Sequence, residues 1–522
     1  MRTFYRHILP VLGPLLLIAS LLWSLWFVFA GFGNHMDPLY WLYKYQHLDG
    51  GWMSAGTLLF GHFCVRVFGA QLLPLRLVGW GITVLAIALP YICLLAPKQR
   101  LGNLHWLALA YFMMGYGAFQ ELSPGTLSVL LLVLIALFAI RYLHSPTLLS
   151  AIFIGLFTGV AIAVRFPNIL VIIPLLPVFA LPVIRSEEGQ THRICINALS
   201  ALVALTASAG TLYWLSAELL TFSTTDPSMG GTHGIAKMIT NLWDKGALLL
   251  GFAALWYGIV AIGRKSWYWA VPVAAGVGYY TTYAFGEQWY NIDLTYCLSA
   301  ACVVSALASK RSALAFLTAM LAIATMGTDV AWLKLFPAVL ALIPVLPKVY
   351  PAKMRTYLYL VLIGFAIPQT IRFAVNSVGN SDLYASTTRA GIAPYKGIYI
   401  DSKSNTYLEQ LSADYQCYGV ADNTISVGSD IHLIRSVTGC QAGAYNEFWS
   451  NIFDSVYTAR YESLIIEKQP VVFCAFSPQF KTKKSYKDKN SAFEQMLMRN
   501  GYKPIDRSQN KYMIYLPNKP QP

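Results

Sequence analysis

The sequence predicts an α-helical membrane protein that crosses the bilayer many times and carries a small α/β domain outside it. Of its 522 residues, 56% are hydrophobic and 12% are charged, and the mean hydropathy is +0.51. Soluble globular domains carry roughly a quarter of their residues as charged side chains. This composition, long runs without charge and a change of composition after Phe373 together indicate the fold class.

The first predicted helix is the run from Ile8 to Ala30, which contains no charged residue. It is long enough for the ~20 residues that span a bilayer, and the basic residues Arg2 and Arg6 precede it. A secretory signal has a shorter apolar core followed by a small-residue cleavage site. We therefore expect a retained membrane helix whose N-terminal end lies in the cytoplasm.

Further apolar runs bring the total to about thirteen spans by the ~20-residue rule. They begin near Leu73, Leu104, Leu122, Leu148, Ile169, Ile194, Ala247, Tyr268, Leu294, Leu314, Val330 and Tyr357. An odd number of spans and a cytoplasmic N-terminus place the tail outside, as in a multi-pass protein of a bacterial inner membrane. The short loops assigned to the cytoplasm are the basic ones, as the positive-inside rule requires.

Carboxylates before Phe373 concentrate on the loops and helix ends assigned to the outer face. They are Asp37, Asp49, Glu121, Glu218, Asp226, Asp244, Glu287, Asp293 and Asp329. Charges near hydrocarbon are costly, so this concentration indicates chemistry on that face, with simple balance of the basic inner loops as the alternative. The net charge of +14 comes mostly from the inner loops and does not indicate a nucleic-acid partner.

After Phe373 charges become frequent and apolar runs shorten to strand length. The sequence therefore predicts a transmembrane domain over residues 1–374 and an extracytoplasmic α/β domain over residues 375–522. Predicted strands cover residues 397–400, 471–476 and 512–516, and predicted helices cover 405–415 and 446–461.

Two cysteines of this outer domain are candidates for a disulfide. Cys417 and Cys440 would lie in an oxidising space, where a bridge could close the loop between them. Cys474, in a predicted strand, is a competing partner, and spacing alone does not decide the pairing.

Several motifs of soluble-donor chemistry are missing from the sequence. It contains no Walker A loop, GxGxxG, HExxH, paired CxxC or DxD. ATP-driven transport, dinucleotide chemistry and the usual metal site for a nucleotide sugar therefore lack support. Because a water-soluble nucleotide donor is not expected on the outer face, a donor carried by a membrane lipid fits the predicted geometry.

Three stretches in the first third of the chain combine acidic, aromatic and basic residues. They are His35–Trp41 with Leu48–Trp52, Val67–Gly69 and Leu75–Leu77; then Gln120–Gly125; then Gly155–Pro167. In order and spacing they resemble the membrane-integral GT-C glycosyltransferases that use polyprenyl-phosphate sugars, close to the protein mannosyltransferase and aminoarabinose transferase group. The resemblance implies a GT-C-like membrane domain and sugar transfer by direct displacement with inversion at the anomeric carbon.

The resemblance also implies roles for residues at the outer face. Asp37 would be the base that takes the proton of the acceptor, and Glu121 would orient the acceptor or hold a divalent cation together with Asp37. Arg165 would hold the phosphate of the donor. Further candidates are Lys44, Arg66, His233 and Lys237 for the phosphate, and Tyr40, Trp41, His47 and Asp49 for the substrate.

Each assignment has a structural alternative. Asp37 could cap a helix that begins at Pro38, and Glu121 could cap one that begins near Pro124. Arg165 could extend its guanidinium to the membrane interface. The charged and aromatic residues of the first loop could belong to an amphipathic helix in the interface.

The expected function is transfer of a sugar from a polyprenyl-phosphate-linked donor to a lipid, glycan or protein acceptor on the extracytoplasmic face. A lipid or polysaccharide transporter is the non-enzymatic alternative, which would be expected to show internal repeats or charges in mid-helix. A polysaccharide polymerase or ligase is a second alternative, and would favour a large outer loop between later helices over a soluble tail.

Overall fold

A computed structural model describes the chain in segments, with most of the stretch between residues 220 and 311 outside them. The described residues are 9–31, 36–48, 52–114, 121–185, 188–219, 254, 258, 312–325, 331–348, 359, 362–363, 385–428, 431–442, 455–475, 493–507 and 512–518.

Helices make up the membrane part. Their bounds are α1 Leu9–Phe29, α2 Met36–His47, α3 Ala55–Phe68, α4 Leu72–Leu94, α5 Pro97–Arg100, α6 Leu104–Met113, α7 Pro124–His144, α8 Leu148–Val164, α9 Ile172–Arg185, α10 Glu188–Leu219, α11 Ser312–Ala322 and α12 Ala331–Leu340. Within the described residues, five stretches are long and apolar enough to cross a membrane: Leu12–Phe29, Leu72–Leu94, Pro124–His144, Phe166–Ile184 and Thr191–Leu219. The protein is therefore an integral membrane protein.

Helices α7 and α8 are joined by a short turn and lie antiparallel. Ser123 caps α7 by accepting a hydrogen bond from the backbone N–H of Thr126 at 3.3 Å, and Pro124 occupies the first turn, where its missing N–H is not needed. Thr147 caps α8 in the same way. As a consequence, the loop before α7 and the turn after α8 lie at the same face of the membrane part.

Helix α8 packs closely against α10 through two glycines. A Cβ atom at Gly155 would clash with the backbone carbonyl of Ala201, and one at Gly159 would clash with the hydroxyl of Ser208. Small residues four positions apart let two membrane helices approach until their backbones touch, which adds van der Waals contact in lipid. This contact fixes the position of the C-terminal end of α8.

The strands described in the chain all belong to residues 385–518. They are β1 Thr388–Arg389, β2 Tyr399–Ile400, β3 Thr424–Gly428, β4 Gln441–Ala442, β5 Val471–Ala475, β6 Tyr502–Arg507 and β7 Tyr512–Pro517. The helices among them are α13 Ser402–Tyr418, α14 Ile431–Thr438 and α15 Ser455–Lys468.

Strands β1 and β2 form an antiparallel pair, and the other five form a sheet of order β4-β3-β5-β7-β6. Strand β3 pairs parallel with β4 and β5, and α14 and α15 cross between them. Strand β7 pairs antiparallel with β5 and with β6, and β6 and β7 form a hairpin at one edge of the sheet. This is a small mixed α/β unit.

The α/β unit rests directly on the membrane helices. The backbone N–H of Gly31, just after α1, donates to the carbonyl of Tyr399 in β2 at 2.8 Å. The N–H of Leu72, which opens α4, donates to the carbonyl of Pro394 at 3.0 Å. Tyr395 is fully buried in the same apolar core as the membrane helices. The unit therefore sits on the face where α1 ends and α4 begins.

The predicted fold class, a helical polytopic membrane protein with a small C-terminal α/β domain, is confirmed. The predicted strands correspond to β2, β5 and β7, and the helix predicted over 405–415 lies inside α13. The helix predicted over 446–461 overlaps α15, which ends at Lys468, over residues 455–461, and its first part, 446–454, lies outside the described residues. The sequence did not reveal β3, β6 or α14.

Two predictions concern residues outside the described part of the chain, and a third concerns sidedness. The runs near Ala247, Tyr268 and Leu294 lie there, so the number of about thirteen spans remains a prediction. The division between residues 374 and 375 falls there as well. The placement of the α/β domain on the extracytoplasmic side also remains a prediction, although the domain and the first loop share one face.

Candidate functional site

The site begins with helix α2, which follows the first membrane helix. Asp37 is the second residue of α2, so the helix starts before Pro38 and Asp37 lies in the first turn. A carboxylate in the first turn is favoured by the helix dipole. The side chain of Asp37 lies outside the described part of the structure, as does the whole of Asp49.

The C-terminal half of α2 is anchored by Tyr45. This side chain is fully buried, and its hydroxyl donates a hydrogen bond to the carbonyl of Leu122 at 2.9 Å. Its ring covers Gly61 of α3 so closely that a Cβ atom there would clash with it. The ring of His62 lies 2.7 Å from the Tyr45 carbonyl through Nδ1. Helix α2 is thus fixed to α3 and to the loop before α7.

Glu121 lies in that loop, half-buried. The residue that caps α7 is Ser123, so capping does not account for the carboxylate of Glu121. Glu121 interacts electrostatically with Tyr45 and Arg76, so its carboxylate belongs to the same part of the structure as those two side chains. The backbone carbonyl of Glu121 accepts a hydrogen bond from the Thr126 hydroxyl at 2.8 Å, which holds the loop.

Arg76 belongs to the same group of side chains as Tyr45 and Glu121. The sequence indicated no role for it beyond its place in the Leu75–Leu77 match. Only 3% of its surface is exposed, and Nη1 donates to the Gly31 carbonyl at 3.1 Å. Its buried Nε has no hydrogen-bond partner among the described residues. The signal that could have identified it is a lone arginine near the start of the apolar helix α4, because a charge in a membrane span usually has a function.

Arg165 lies in the turn between α8 and the 3-10 helix Phe166–Val171. It is 5% exposed and Nη1 donates to the carbonyl of Ala324 at 2.8 Å. The side chain is therefore turned into the protein and does not extend to the interface. The turn is fixed to α3, since the Thr57 hydroxyl donates to the carbonyl of Val164 at 2.8 Å.

The three stretches that resemble the glycosyltransferase pattern are thus brought together. Tyr45 connects α2 to the loop of Glu121, and Thr57 connects α3 to the turn of Arg165. Both bonds join residues far apart in the chain to a backbone carbonyl, so they specify position as well as adding stability.

Other predicted residues of the first loop have different surroundings. Lys44 is 4% exposed with Nζ 4.8 Å from the centroid of the Tyr40 ring, which is itself buried. Trp41 is half-buried and contacts the edge of the Tyr40 ring. His47 is exposed, with its ring 4.3 Å from that of Tyr43.

Some predicted binding residues are exposed or lie outside the described part of the chain. Arg66 is exposed at the end of α3, and its Nε donates to His62 Nε2 at 3.3 Å. His233 and Lys237 lie outside the described residues. In the described part of the chain, no three His, Cys, Asp or Glu residues are grouped as a metal site, and the predicted cation ligands Asp37 and Glu121 remain untested as a pair.

The C-terminal domain supplies two side chains that the sequence did not indicate. His432 of α14 makes an edge contact with Tyr40, with ring centroids 5.2 Å apart. The guanidinium carbon of Arg435 lies 3.3 Å from the centroid of the Tyr43 ring. The sequence held no strong signal, because α14 is short and its basic residues are ordinary for a soluble domain.

Cys417 and Cys440 are not joined in the structure, where both are free thiols. Cys417 is exposed in the last turn of α13, whereas Cys440 is buried beside the side chains of Thr438 and Ser426, which hydrogen-bond to it. Cys474 is buried and free as well. The thiol of Cys440 therefore has polar partners without a bridge.

No protein-family model and no curated protein matches the chain. Among solved structures, it is similar to the archaeal oligosaccharyltransferase AglB from Archaeoglobus fulgidus, with a TM-score of 0.47 and 14% identity over 99% of this chain and 75% of that one. It is also similar to ArnT from Cupriavidus metallidurans in the apo state, with a TM-score of 0.47 and 11% identity over 97% of both chains. The ArnT structure with undecaprenyl phosphate gives a TM-score of 0.46. Similarity at this level leaves the function to be argued from the residues of the site.

Proposed function

We propose that the protein is a membrane glycosyltransferase that moves a sugar from a polyprenyl-phosphate-linked donor to a lipid, glycan or protein acceptor on the extracytoplasmic face. The observation that supports this most is the convergence of the first loop, the Glu121 loop and the Arg165 turn. These are the three stretches that resemble the GT-C pattern, and Tyr45 and Thr57 tie them together through direct hydrogen bonds.

In the proposed reaction, the acceptor hydroxyl or amide attacks the anomeric carbon of the sugar. The bond between that carbon and the phosphate oxygen breaks, and its electron pair stays on the phosphate, which gains one negative charge. The proton of the acceptor passes to Asp37 as general base. Asp37 opens α2, the helix that Tyr45 fixes against the Glu121 loop, so the base would be held by a rigid element.

Glu121 would receive the acceptor. Its half-buried carboxylate lies in the loop that Tyr45 joins to α2, and it interacts electrostatically with Arg76. An ionised carboxylate accepts hydrogen bonds from hydroxyl or amide groups and can also ligate a hard cation such as Mg²⁺ or Mn²⁺. This arrangement suits orientation of an acceptor whether or not a cation is bound.

Arg165 would hold the departing phosphate. Arg165 is 5% exposed, and the bond from Nη1 to the Ala324 carbonyl fixes the position of its guanidinium. Buried cations stabilise developing negative charge more strongly than exposed ones, because water does not screen them. Lys44, a buried cation of α2, remains a further candidate for the phosphate.

The proposal is tested by incubating purified protein with radiolabelled polyprenyl-phosphate sugars and membrane extracts that supply acceptors. Transfer of label into a new product, with release of polyprenyl phosphate, is expected. If the protein in proteoliposomes instead moves the intact labelled lipid from one leaflet to the other and forms no new glycosidic bond, it is a transporter.

A further inference from the structure

Asn168 lies in the turn that carries Arg165. It is fully buried in the 3-10 helix Phe166–Val171. Its side-chain nitrogen Nδ2 donates to the hydroxyl oxygen of Ser128 at 2.9 Å and to the backbone carbonyl of Ala161 at 2.8 Å. The carbonyl can only accept, so the nitrogen of the amide must face it. Both hydrogens of the amide are therefore used, one toward α7 and one toward α8.

The backbone of Arg165 is held by the same group of bonds. The Ala161 carbonyl also accepts the N–H of Arg165 at 3.0 Å, and the N–H of Asn168 donates to the carbonyl of Arg165 at 2.9 Å. The backbone leaves the helix at Arg165, where it is extended with φ −157° and ψ 111°. The bonds of Asn168 therefore act at the residue where the direction of the arginine side chain is decided.

The bond to Ser128 connects this turn to α7. Ser128 is fully buried and lies five residues after Ser123, the cap of α7, which follows the loop of Glu121. The two bonded side chains, of Asn168 and Ser128, are 40 positions apart in the chain. Asn168 thus relates the Arg165 turn to the helix that begins at the Glu121 loop.

The oxygen of the same amide is left without a bond. Oδ1 of Asn168 is buried and has no hydrogen-bond partner among the described residues. A buried acceptor without a donor costs free energy, and such groups are rare in folded proteins. An unsatisfied polar group beside a proposed site is typical of a residue that serves the function of that site more than stability.

We infer that Asn168 is a positioning residue that sets the direction of the Arg165 side chain relative to the Glu121 loop, through Ser128 and the Ala161 carbonyl. For sugar transfer this rests on the proposed function, in which Arg165 holds the departing phosphate. A displacement of ~1 Å at a group that acts on the reacting atoms can cost about 100-fold in rate.

The test compares two variants of the full-length protein in detergent. Asn168→Leu keeps the approximate size of the side chain and removes both donations, whereas Ser128→Ala removes only the bond to α7. Thr158→Val is the matched control, because Thr158 is buried in α8 and its hydroxyl donates within that helix, to the Ile154 carbonyl at 2.7 Å.

Two measurements are made on each variant. The first is kcat and KM for transfer from a polyprenyl-phosphate sugar, with each substitution alone and combined with Arg165→Gln. The second needs no substrate and follows modification of the Arg165 guanidinium by phenylglyoxal, read by peptide mass spectrometry.

We expect Asn168→Leu to lower kcat about 10- to 100-fold and to change KM less than about 3-fold, with a smaller loss of kcat in Ser128→Ala. In the Arg165→Gln background Asn168→Leu should have little further effect, because a residue that acts through Arg165 then has nothing left to position. Phenylglyoxal should modify Arg165 slowly in wild type, where it is 5% exposed, and faster in Asn168→Leu. Thr158→Val should match wild type in kcat and in labelling.

Wild-type kcat in a folded Asn168→Leu protein would overturn the inference and keep the proposed function. Equal losses of kcat from Asn168→Leu with and without Arg165→Gln would also overturn it, because Asn168 would then act on the fold alone. If Asn168→Leu does not fold, Ser128→Ala decides by the same criteria. Faster modification of Arg165 in Asn168→Leu, in a protein whose wild type transfers no sugar, would keep the positioning role and reject the proposed function.

Discussion

The Tyr45 hydroxyl donates a hydrogen bond to the carbonyl of Leu122 at 2.9 Å, and this bond joins the first loop helix to the loop that carries Glu121. The two residues are 77 positions apart in the chain. The bond is buried, so if the Tyr45 hydroxyl is lost, no water can reach the Leu122 carbonyl to replace it.

Replacing Tyr45 by Phe should therefore separate the two loops without removing the ring that covers Gly61. We expect the free energy of unfolding to fall by ~0.5–1.5 kcal/mol and sugar transfer to fall more than stability alone explains. Thermal unfolding in detergent and the transfer assay measure the two effects. Tyr502→Phe is the control, because it removes a buried bond to the Pro470 carbonyl in the C-terminal domain, away from these loops, and should lower stability alone.

Asp37→Asn tests the proposed base. Asn keeps the size of the side chain, but an amide does not take a proton from the acceptor, so transfer should fall ~100- to 10,000-fold. Thermal stability and binding of the lipid-linked donor should stay close to wild type. Asp422→Asn, at an exposed turn with positive φ that Asn also adopts, should leave transfer unchanged. Near-normal transfer by Asp37→Asn would exclude the catalytic role and make Asp49 or Glu121 the next carboxylate to test.

The cysteines of the C-terminal domain should differ in reactivity. Burial raises the pKa of the Cys440 and Cys474 thiols, so little thiolate is present near neutral pH, and the reactive thiolate form appears only as pH rises through the raised pKa. A maleimide reagent at pH 7 should label Cys417 in the folded protein and leave the other two unlabelled, as read by peptide mass spectrometry. All three should react after denaturation without reductant. A requirement for reductant at both Cys417 and Cys440 would show that they are bridged.

The contact between α8 and α10 should not tolerate a side chain at Gly155. A methyl group there meets the backbone of Ala201, which cannot move alone, so Gly155→Ala should destabilise the protein by ~1–3 kcal/mol. Thermal unfolding in detergent measures the change. Gly210→Ala is the matched control, since that glycine of α10 has no neighbour within 4 Å and alanine favours the helix.

Sidedness is tested by reporter fusions in a bacterial host. An alkaline phosphatase joined after Pro522 should be active. The C-terminal domain is predicted to be outside the cytoplasm, and the phosphatase reporter folds into its active form only outside the cytoplasm. A fusion after Arg100, in a loop predicted to be cytoplasmic, should be inactive. The opposite pattern would place the Asp37 and Glu121 loops inside and contradict the proposed donor.

Much of the architecture follows from local patterns in the sequence. Long apolar runs predict α1, α4 and α7, and apolar runs of strand length predict β5 and β7. The alternative that Glu121 caps α7 is wrong, because Ser123, directly before Pro124, accepts the hydrogen bond from the Thr126 N–H.

The contacts that build the site depend on tertiary structure. Motif order suggested that Asp37, Glu121 and Arg165 belong together, but the bonds that unite their segments come from Tyr45 and Thr57, whose residue types are common in any helix. Arg435 was missed for a related reason. Its burial against Tyr43 depends on how α14 packs against α2, which the sequence does not show.

The bond between Gly31 and Tyr399 ties the end of the first membrane helix to a strand of the C-terminal domain. Gly31 is synthesised long before Tyr399. The N–H of Gly31 therefore lacks this hydrogen-bond partner during most of synthesis. The nearby guanidinium of Arg76, bonded to the Gly31 carbonyl, arrives much earlier. The backbone hydrogen bond at the end of α1 can therefore form only after the segment that contains β2 has been synthesised.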